Sequence, residues 1–273
     1  GFVSGEVTGI TATGSVTYVS DGTVENTITY TTGAAFREEN YKITKLPGQL
    51  SITQSSNAIV ITTASRSREY NGKKLLDDQT THTGTLAAGD RLVVEFPADA
   101  GLTDVGTKRN EYKSYRVERS DGADVTANYT FGKPVIGTLT VTPVAIELTA
   151  NSAAKAYDGT PLTDSGYTIS NGSFVGEEGL AGVTVVGSQT LEGSSANKIT
   201  GHTLKSNTKA QNYNITYADG TLTVSKNEKV ITVTANSRTW EYDGKEHSDG
   251  GYTVRYDGET YTVARSCRPE ASR

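Results

Sequence analysis

Cysteine is almost missing from this chain: Cys267 stands alone among 273 residues. One thiol closes no disulfide framework and builds no thiolate metal site. Methionine is absent altogether, so a chain that begins at Gly1 reads as cut from a longer one. Tryptophan occurs once, as Trp240, and proline only six times. No apolar run approaches the ~20 residues that a membrane-spanning helix needs, and no signal peptide opens the chain. Cationic charge is also short: the formal net charge is −5, and Lys and Arg are scattered. A nucleic-acid binder is expected to carry a basic stripe, so that class is set aside.

What is abundant points one way. Thr, Ser, Gly, Val, Ile and Tyr recur throughout; β-branched and aromatic residues suit a pleated surface, while Gly and Asn punctuate turns. Ala, Leu, Glu and Lys at helical spacing are hard to find. The expectation is an all-β chain.

Internal repeats decide the organisation. Tyr70-Asn71-Gly72, Tyr157-Asp158-Gly159 and Tyr242-Asp243-Gly244 lie 87 and 85 residues apart. Asn40-Tyr41, Asn128-Tyr129 and Asn212-Tyr213 lie 88 and 84 apart. A Gly-x-Leu ending recurs at Gly48/Leu50, Gly137/Leu139 and Gly220/Leu222, and a Gly-x3-Asn pair at Gly22/Asn26, Gly106/Asn110 and Gly193/Asn197. Four markers share one period near 86 and keep one order. They divide the chain into the C-terminal half of a truncated repeat (1–53), two complete repeats (54–142 and 143–225), the N-terminal half of a truncated repeat (226–263) and a non-repeat tail (264–273).

Within a repeat the alternation has the period of strands. Val230 to Ala235 and Val144 to Ala150 open their units, and 182–186 and 213–217 read as further strands. Ala218-Asp219-Gly220 reads as a hairpin turn, with Gly supplying a positive φ. Six or seven short strands per repeat, with a turn every 8–15 residues, predict a small immunoglobulin-like β-sandwich. The alternative is a β-grasp-like module with one short helix at 174–180. Two- or three-residue linkers at Thr142-Pro143 and Ser225-Lys226-Asn227 limit rotation, so the repeats are expected to form a semi-rigid rod.

The recurring residues also carry a family likeness. Lys155 to Leu162 (KAYDGTPL), Gly1 to Glu6 (GFVSGE) and Asn212 to Val224 (NYNITYADGTLTV) resemble the tandem MBG or "YDG" repeats of bacterial cell-surface adhesins. The resemblance covers nearly the whole chain apart from its last ten or so residues. It implies an extracellular or cell-surface location, neighbouring repeats of the same protein as partners, and no cofactor. The first complete repeat departs from the pattern by carrying Asn71 in place of Asp.

Each candidate site has a plain structural reading. Asp or Asn followed by Gly favours a tight turn, and a Tyr before it can bury its ring against the module. A Tyr after Asn at a strand start fits a tyrosine corner that bonds to nearby backbone, with Asn capping the preceding loop. Asp121, Asp124, Asp158 and Asp164 offer oxygens to calcium but lack the dense spacing of a dedicated loop. His82, His202 and His247 fall at unrelated places in their repeats, whereas a metal or catalytic site needs convergent groups. No Ser sits in a nucleophile elbow and no phosphate-binding glycine loop is present. An isopeptide bond needs a recurring Lys, yet Arg68 stands where the next repeat has Lys155. An exposed Trp240 is a candidate sugar-stacking platform. The expected function is therefore a structural stalk rather than an enzyme, and the alternative is that the repeats themselves bind host glycan or mucin.

Overall fold

The computed structural model describes residues 1–261; the expected tail at 264–273, with Cys267, lies outside them. Among the described residues the regular structure is β-strand, and the helical content is four three-residue 3-10 turns. The stretch 174–180 holds a turn and the start of a strand, not a helix. Two compact units are present: Gly1–Val144 together with Lys209–Asn214, and Ala145–Thr208 together with the residues from Ile215 onward. The division does not follow the repeat borders. Residues 209–214 belong to the third repeat by sequence, but to the first unit by packing.

In the first complete repeat the opening strand, Ser55–Thr63, lies between Tyr129–Phe131, which runs parallel to it, and Thr80–Thr83, which runs antiparallel. Ile59, Ile61 and Thr63 alternate onto its inner face and are almost fully buried, as the two-residue period of a strand requires. Ile59 and Ile61 form the core with Val117, Val125 and Tyr129. The closing strand, Thr138–Thr142, belongs to a second sheet, between Arg66–Glu69 (parallel) and Gly106–Arg109 (antiparallel). It buries Leu139 and Val141.

The second complete repeat has the same strand order. Val144–Ala150 lies between Tyr167–Asn171 and Tyr213–Ala218, while Gly220–Ser225 lies between Ala153–Ala156 and Gly193–Leu204. Here Ile146, Leu148 and Ala150 face inward from the opening strand, and Leu222 and Val224 from the closing one. One difference is local. Gly193–Leu204 is continuous and pairs with both Gly220–Ser225 and Leu180–Val186, whereas the first complete repeat breaks the same stretch into Gly106–Arg109 and Ser114–Arg119. The two repeats therefore hold eight and seven strands.

The expected hairpin at Ala218-Asp219-Gly220 is not one. Tyr213–Ala218 pairs in the opening-strand sheet and Gly220–Ser225 in the other, so the chain changes sheets at Asp219. Gly220 is not at a positive φ either. It is glycine because the opening strand passes over it: a Cβ there would lie 2.2 Å from the Asn151 carbonyl oxygen, and at Gly137 the same distance from the Ala64 carbonyl oxygen. The Gly-x-Leu marker thus records a close crossing of two backbones. At Gly48, in the half repeat 1–53, nothing comes nearer than the Asn26 side chain at 3.7 Å.

The half repeats are thinner. Residues 1–53 make two strand pairs, Val7–Ala12 with Ile28–Thr32 and Val24–Asn26 with Gly48–Leu50. They gather Phe2, Tyr30, Phe36 and Tyr41 into an aromatic cluster, with the ring pairs 5.1 to 6.0 Å apart. The C-terminal half is an antiparallel meander of Ile231–Ala235, Tyr252–Tyr256 and Glu259–Tyr261. Every residue of its first strand is exposed.

Candidate functional site: the recurring motifs

The triplet builds one turn three times. The side-chain oxygen of Asn71, Asp158 or Asp243 accepts the N–H of the residue two positions on, from Lys73 at 3.1 Å, Thr160 at 2.9 Å and Lys245 at 3.0 Å. Gly72, Gly159 and Gly244 supply φ of 73°, 82° and 75°. This Asx turn needs a carbonyl oxygen and no charge, so Asn71 serves as well as Asp. A cation two residues before the tyrosine spans the turn: Arg68 Nη2 donates to the Lys73 carbonyl at 2.5 Å, and Lys155 Nζ to the Thr160 carbonyl at 2.7 Å. Lys155 also bonds the Asp158 carboxylate, which together with the turn N–H holds that carboxyl well below the usual carboxylate range.

The triplet tyrosines differ in what covers them. Tyr70 is 6% exposed and meets the Tyr213 ring edge-to-face at 5.8 Å. Tyr157 is 39% exposed and Tyr242 99%.

The Asn-Tyr pair marks a switch from a 3-10 turn to extended backbone. Asn40, Asn128 and Asn212 each end such a turn, and the following tyrosine takes β-region angles. The tyrosine hydroxyl closes the repeat on itself. Tyr129 Oη accepts the Ala87 N–H at 2.9 Å and donates to the buried Asp90 carboxylate at 2.6 Å. Tyr41 repeats this arrangement, accepting the Val3 N–H at 3.0 Å and donating to Glu6. Burial, and then the hydrogen bond to Asp90, raise the Tyr129 pKa; at Tyr41 the bond to Glu6 is the larger cause. The backbone partner lies 42 or 38 residues upstream rather than nearby, as a local tyrosine corner would have it.

The asparagine does not cap its own loop. The Asn128 and Asn212 N–H groups bond the Val125 and Lys209 carbonyls, those of Tyr129 and Tyr213 bond the Thr126 and Ala210 carbonyls, and each asparagine amide reaches elsewhere. Asn128 Oδ1 accepts the N–H of Val19, 109 residues away, and Asn212 Oδ1 accepts the N–H of Val105, 107 residues away, both at 2.9 Å. Each bond joins one repeat to the one before it. Around the first, the Arg119 guanidinium lies over the Tyr18 ring. Around the second, Asp104 accepts from Asn212 Nδ2 at 3.0 Å and Lys209 Nζ at 2.6 Å, and those two donors lower its pKa. Asn212 is fully buried there, whereas Asn40, in the half repeat, is exposed.

The Gly-x3-Asn marker has an equally definite role, which its sequence alone did not disclose. Asn110 Nδ2 donates to the Ala64 and Asp77 carbonyls at 3.0 and 2.8 Å, and Asn197 Nδ2 to the Asn151 and Asp164 carbonyls at 2.9 and 3.0 Å. Both asparagines are buried, and each ties the end of the opening strand to the loop after the triplet.

The remaining candidates stay apart. Asp121 and Asp124 accept turn N–H groups from Ala123 and Thr126. Asp164 accepts the Gly166 N–H at 2.6 Å. His202 shares a hydrogen bond with Tyr217, while His247 bonds Asp243 and stacks on the 42% exposed Trp240. Among the described residues no three His, Cys, Asp or Glu side chains gather into a metal-binding group, and no helix is long and apolar enough to cross a membrane. No family model, curated protein or solved structure matches this chain.

Proposed function

We propose that the chain is a run of structural repeats, the stalk of a bacterial cell-surface or secreted adhesin, which holds a distal binding domain away from its anchor and catalyses nothing itself. The observation that carries this reading is the use made of the recurring polar side chains. Asn128 and Asn212 bond the preceding repeat; Asn110, Asn197 and Tyr129 bond the interior of their own. Side chains engaged in backbone hydrogen bonds hold a scaffold and are not free to meet a substrate. The stacking of an opening-strand sheet and a closing-strand sheet in both complete repeats, with a further two-stranded sheet in the first, fits a small immunoglobulin-like sandwich, and the likeness to MBG repeats supports the surface location.

A spacer must be extended. Small-angle scattering should return a radius of gyration clearly above the roughly 18–19 Å of a compact domain of this length. A value at or below that figure refutes the stalk. The competing reading, repeats that bind glycan or mucin, draws on Trp240, which is exposed and stacked on His247. A glycan array decides it: binding that disappears in Trp240→Ala would make the chain a recognition module.

A further inference from the structure

The first complete repeat departs from the second at one place, and the departure opens a cavity. In the second repeat Leu180–Val186 stays paired with Gly193–Leu204 as far as Val186 and Lys198. In the first the matching ladder stops at Glu95 and Ser114. Pro97, two residues on, has no N–H with which to extend it. The connection to the next strand is ten residues, 96–105, against six, 187–192, in the second repeat. A loop that leaves the repeat's own plan is where such arrays carry function. This one is pinned. The Ala100 N–H bonds the Pro97 carbonyl at 2.9 Å, and Leu75 and Leu102 exchange two backbone bonds at 2.7 and 3.0 Å. Lys108 Nζ holds the Asp99 carbonyl at 3.2 Å.

Between this loop and the segment after the triplet lies a cavity of about 420 Å³, a volume typical of small-molecule sites. All its lining residues fall between Arg66 and Asn110, inside the complete repeat. Phe96, Pro97, Ala100 and Leu76 give it apolar surface, and Arg66, Lys74, Asp77, Asp78 and Gln79 bring donors and acceptors. The buried Asn110 also lines it. Its counterpart in the second repeat, Asn197, is closed off: a Cβ on Gly187 would lie 2.5 Å from the Asn197 Oδ1, which is buried without a partner. The two cations and two carboxylates of the lining balance, so the cavity favours a ligand of neither sign. Little of its bonding capacity is spent. Asp77 and Asp78 each give an oxygen to Gln79, at 3.1 and 3.2 Å, and Arg66 donates to the Leu76 carbonyl at 3.4 Å. A wholly apolar ligand would leave such groups unpaired, which costs free energy. Hydroxyls both donate and accept, and a sugar ring sets several of them around a face of C–H groups.

We propose that this cavity of the first complete repeat binds a neutral saccharide of one or two rings, at a site separate from Trp240. The C–H face of the sugar lies on Phe96 and Pro97, as apolar ring faces pack on aromatic side chains. Its hydroxyls donate to Asp78 and accept from Arg66 and Gln79. The site is compatible with a spacer: the recurring side chains still hold the scaffold, and the ligand meets residues outside the recurring markers.

Titration of the whole chain with lactose, cellobiose, maltose and chitobiose, followed through its amide NMR shifts, tests this. At least one of them should bind, with the shifts centred on 74–79 and 96–101. Raising sodium chloride tenfold should change the affinity by less than about twofold, because no ion pair is screened. Arg66→Ala/Asp78→Ala removes two exposed side chains, so the repeat stays folded, and should weaken binding about 10-fold or more. Trp240→Ala should leave it unchanged. Failure of all four sugars to bind overturns the site, and so does binding that survives the double variant. Tighter binding of a sialylated or uronic-acid sugar would overturn it too, and loss of binding in Trp240→Ala would assign the sugar to that ring instead. Each of these outcomes leaves the scattering test of the stalk as it stands.

Discussion

The strands Val144–Ala150 and Ile231–Ala235 are close in sequence, and both keep an apolar residue at every second position. The first is the central strand of a sheet and buries Ile146 and Leu148; the second is an edge strand with every side chain exposed. The pattern declares which face a strand would bury. Burial itself comes from residues some 70 positions downstream, where the back half of the repeat brings Tyr213–Ala218 alongside and Gly220–Ser225 over the core. A repeat of this kind is closed by its last strand, and until that strand arrives its first has nothing to pack against.

Paired substitutions at matching positions turn this contrast into measurements. Leu148→Ala should cost about 2–5 kcal/mol of unfolding free energy, the usual penalty for emptying a buried leucine site. Val233→Ala should stay within about 0.5 kcal/mol, as exposed sites do. Urea midpoints for the two variants would break the comparison if they moved together. Asn197→Ala leaves two partly buried carbonyls without their donor and should lose about 1–3 kcal/mol. Asn26→Ala, with no such carbonyls to strand, should lose about 1 kcal/mol or less.

A smaller effect belongs to the junction. Asn212→Ala should lower stability by about 1–2 kcal/mol for one neutral bond and one charge-assisted one, while Asn40→Ala changes nothing measurable. The junction should also respond to acid. Lys209 and Asn212 hold the Asp104 pKa below its unfolded value, so that carboxylate contributes its full stabilisation above the ordinary carboxylate range. The contribution is lost as pH falls through the depressed folded value, and Asp104→Asn should flatten this part of the pH profile. The smallest effect sharpens the reading of the triplet. Asp158→Asn should keep the turn, because Asn71 already makes it, and should lower the thermal midpoint at neutral pH only slightly, through loss of the exposed Lys155–Asp158 ion pair.

The strand content and the Asx-Gly turns were legible because they are local: alternation marks strands, and Asx-Gly marks its own turn. What each marker does was harder to read. Gly220 looked like a hairpin glycine, since Ala-Asp-Gly between two strands fits that turn. Its actual constraint is the backbone of Asn151, about 70 residues away, which no local pattern encodes. Asn128 looked like a loop cap for the same reason, and its partner is Val19. Tyr129 looked like a corner tyrosine bonding nearby backbone, and its partners are the Ala87 N–H, 42 residues upstream, and the Asp90 carboxylate. The one signal available was that Glu6, Asp90 and Glu178 recur at the period of the tyrosines, four residues after Phe2, Leu86 and Phe174.

Because the junction bond runs between a backbone N–H and an asparagine that every repeat carries, it is indifferent to which repeat supplies each side. Losing one whole period would set Val19 opposite Asn212 in place of Asn128, with the same donor and the same acceptor. Recombination between repeated gene segments could then lengthen or shorten the array in whole steps and leave this bond intact at every joint. An insertion or loss out of phase with the 86-residue period would place an asparagine where no valine N–H waits, and selection would see the defect at once.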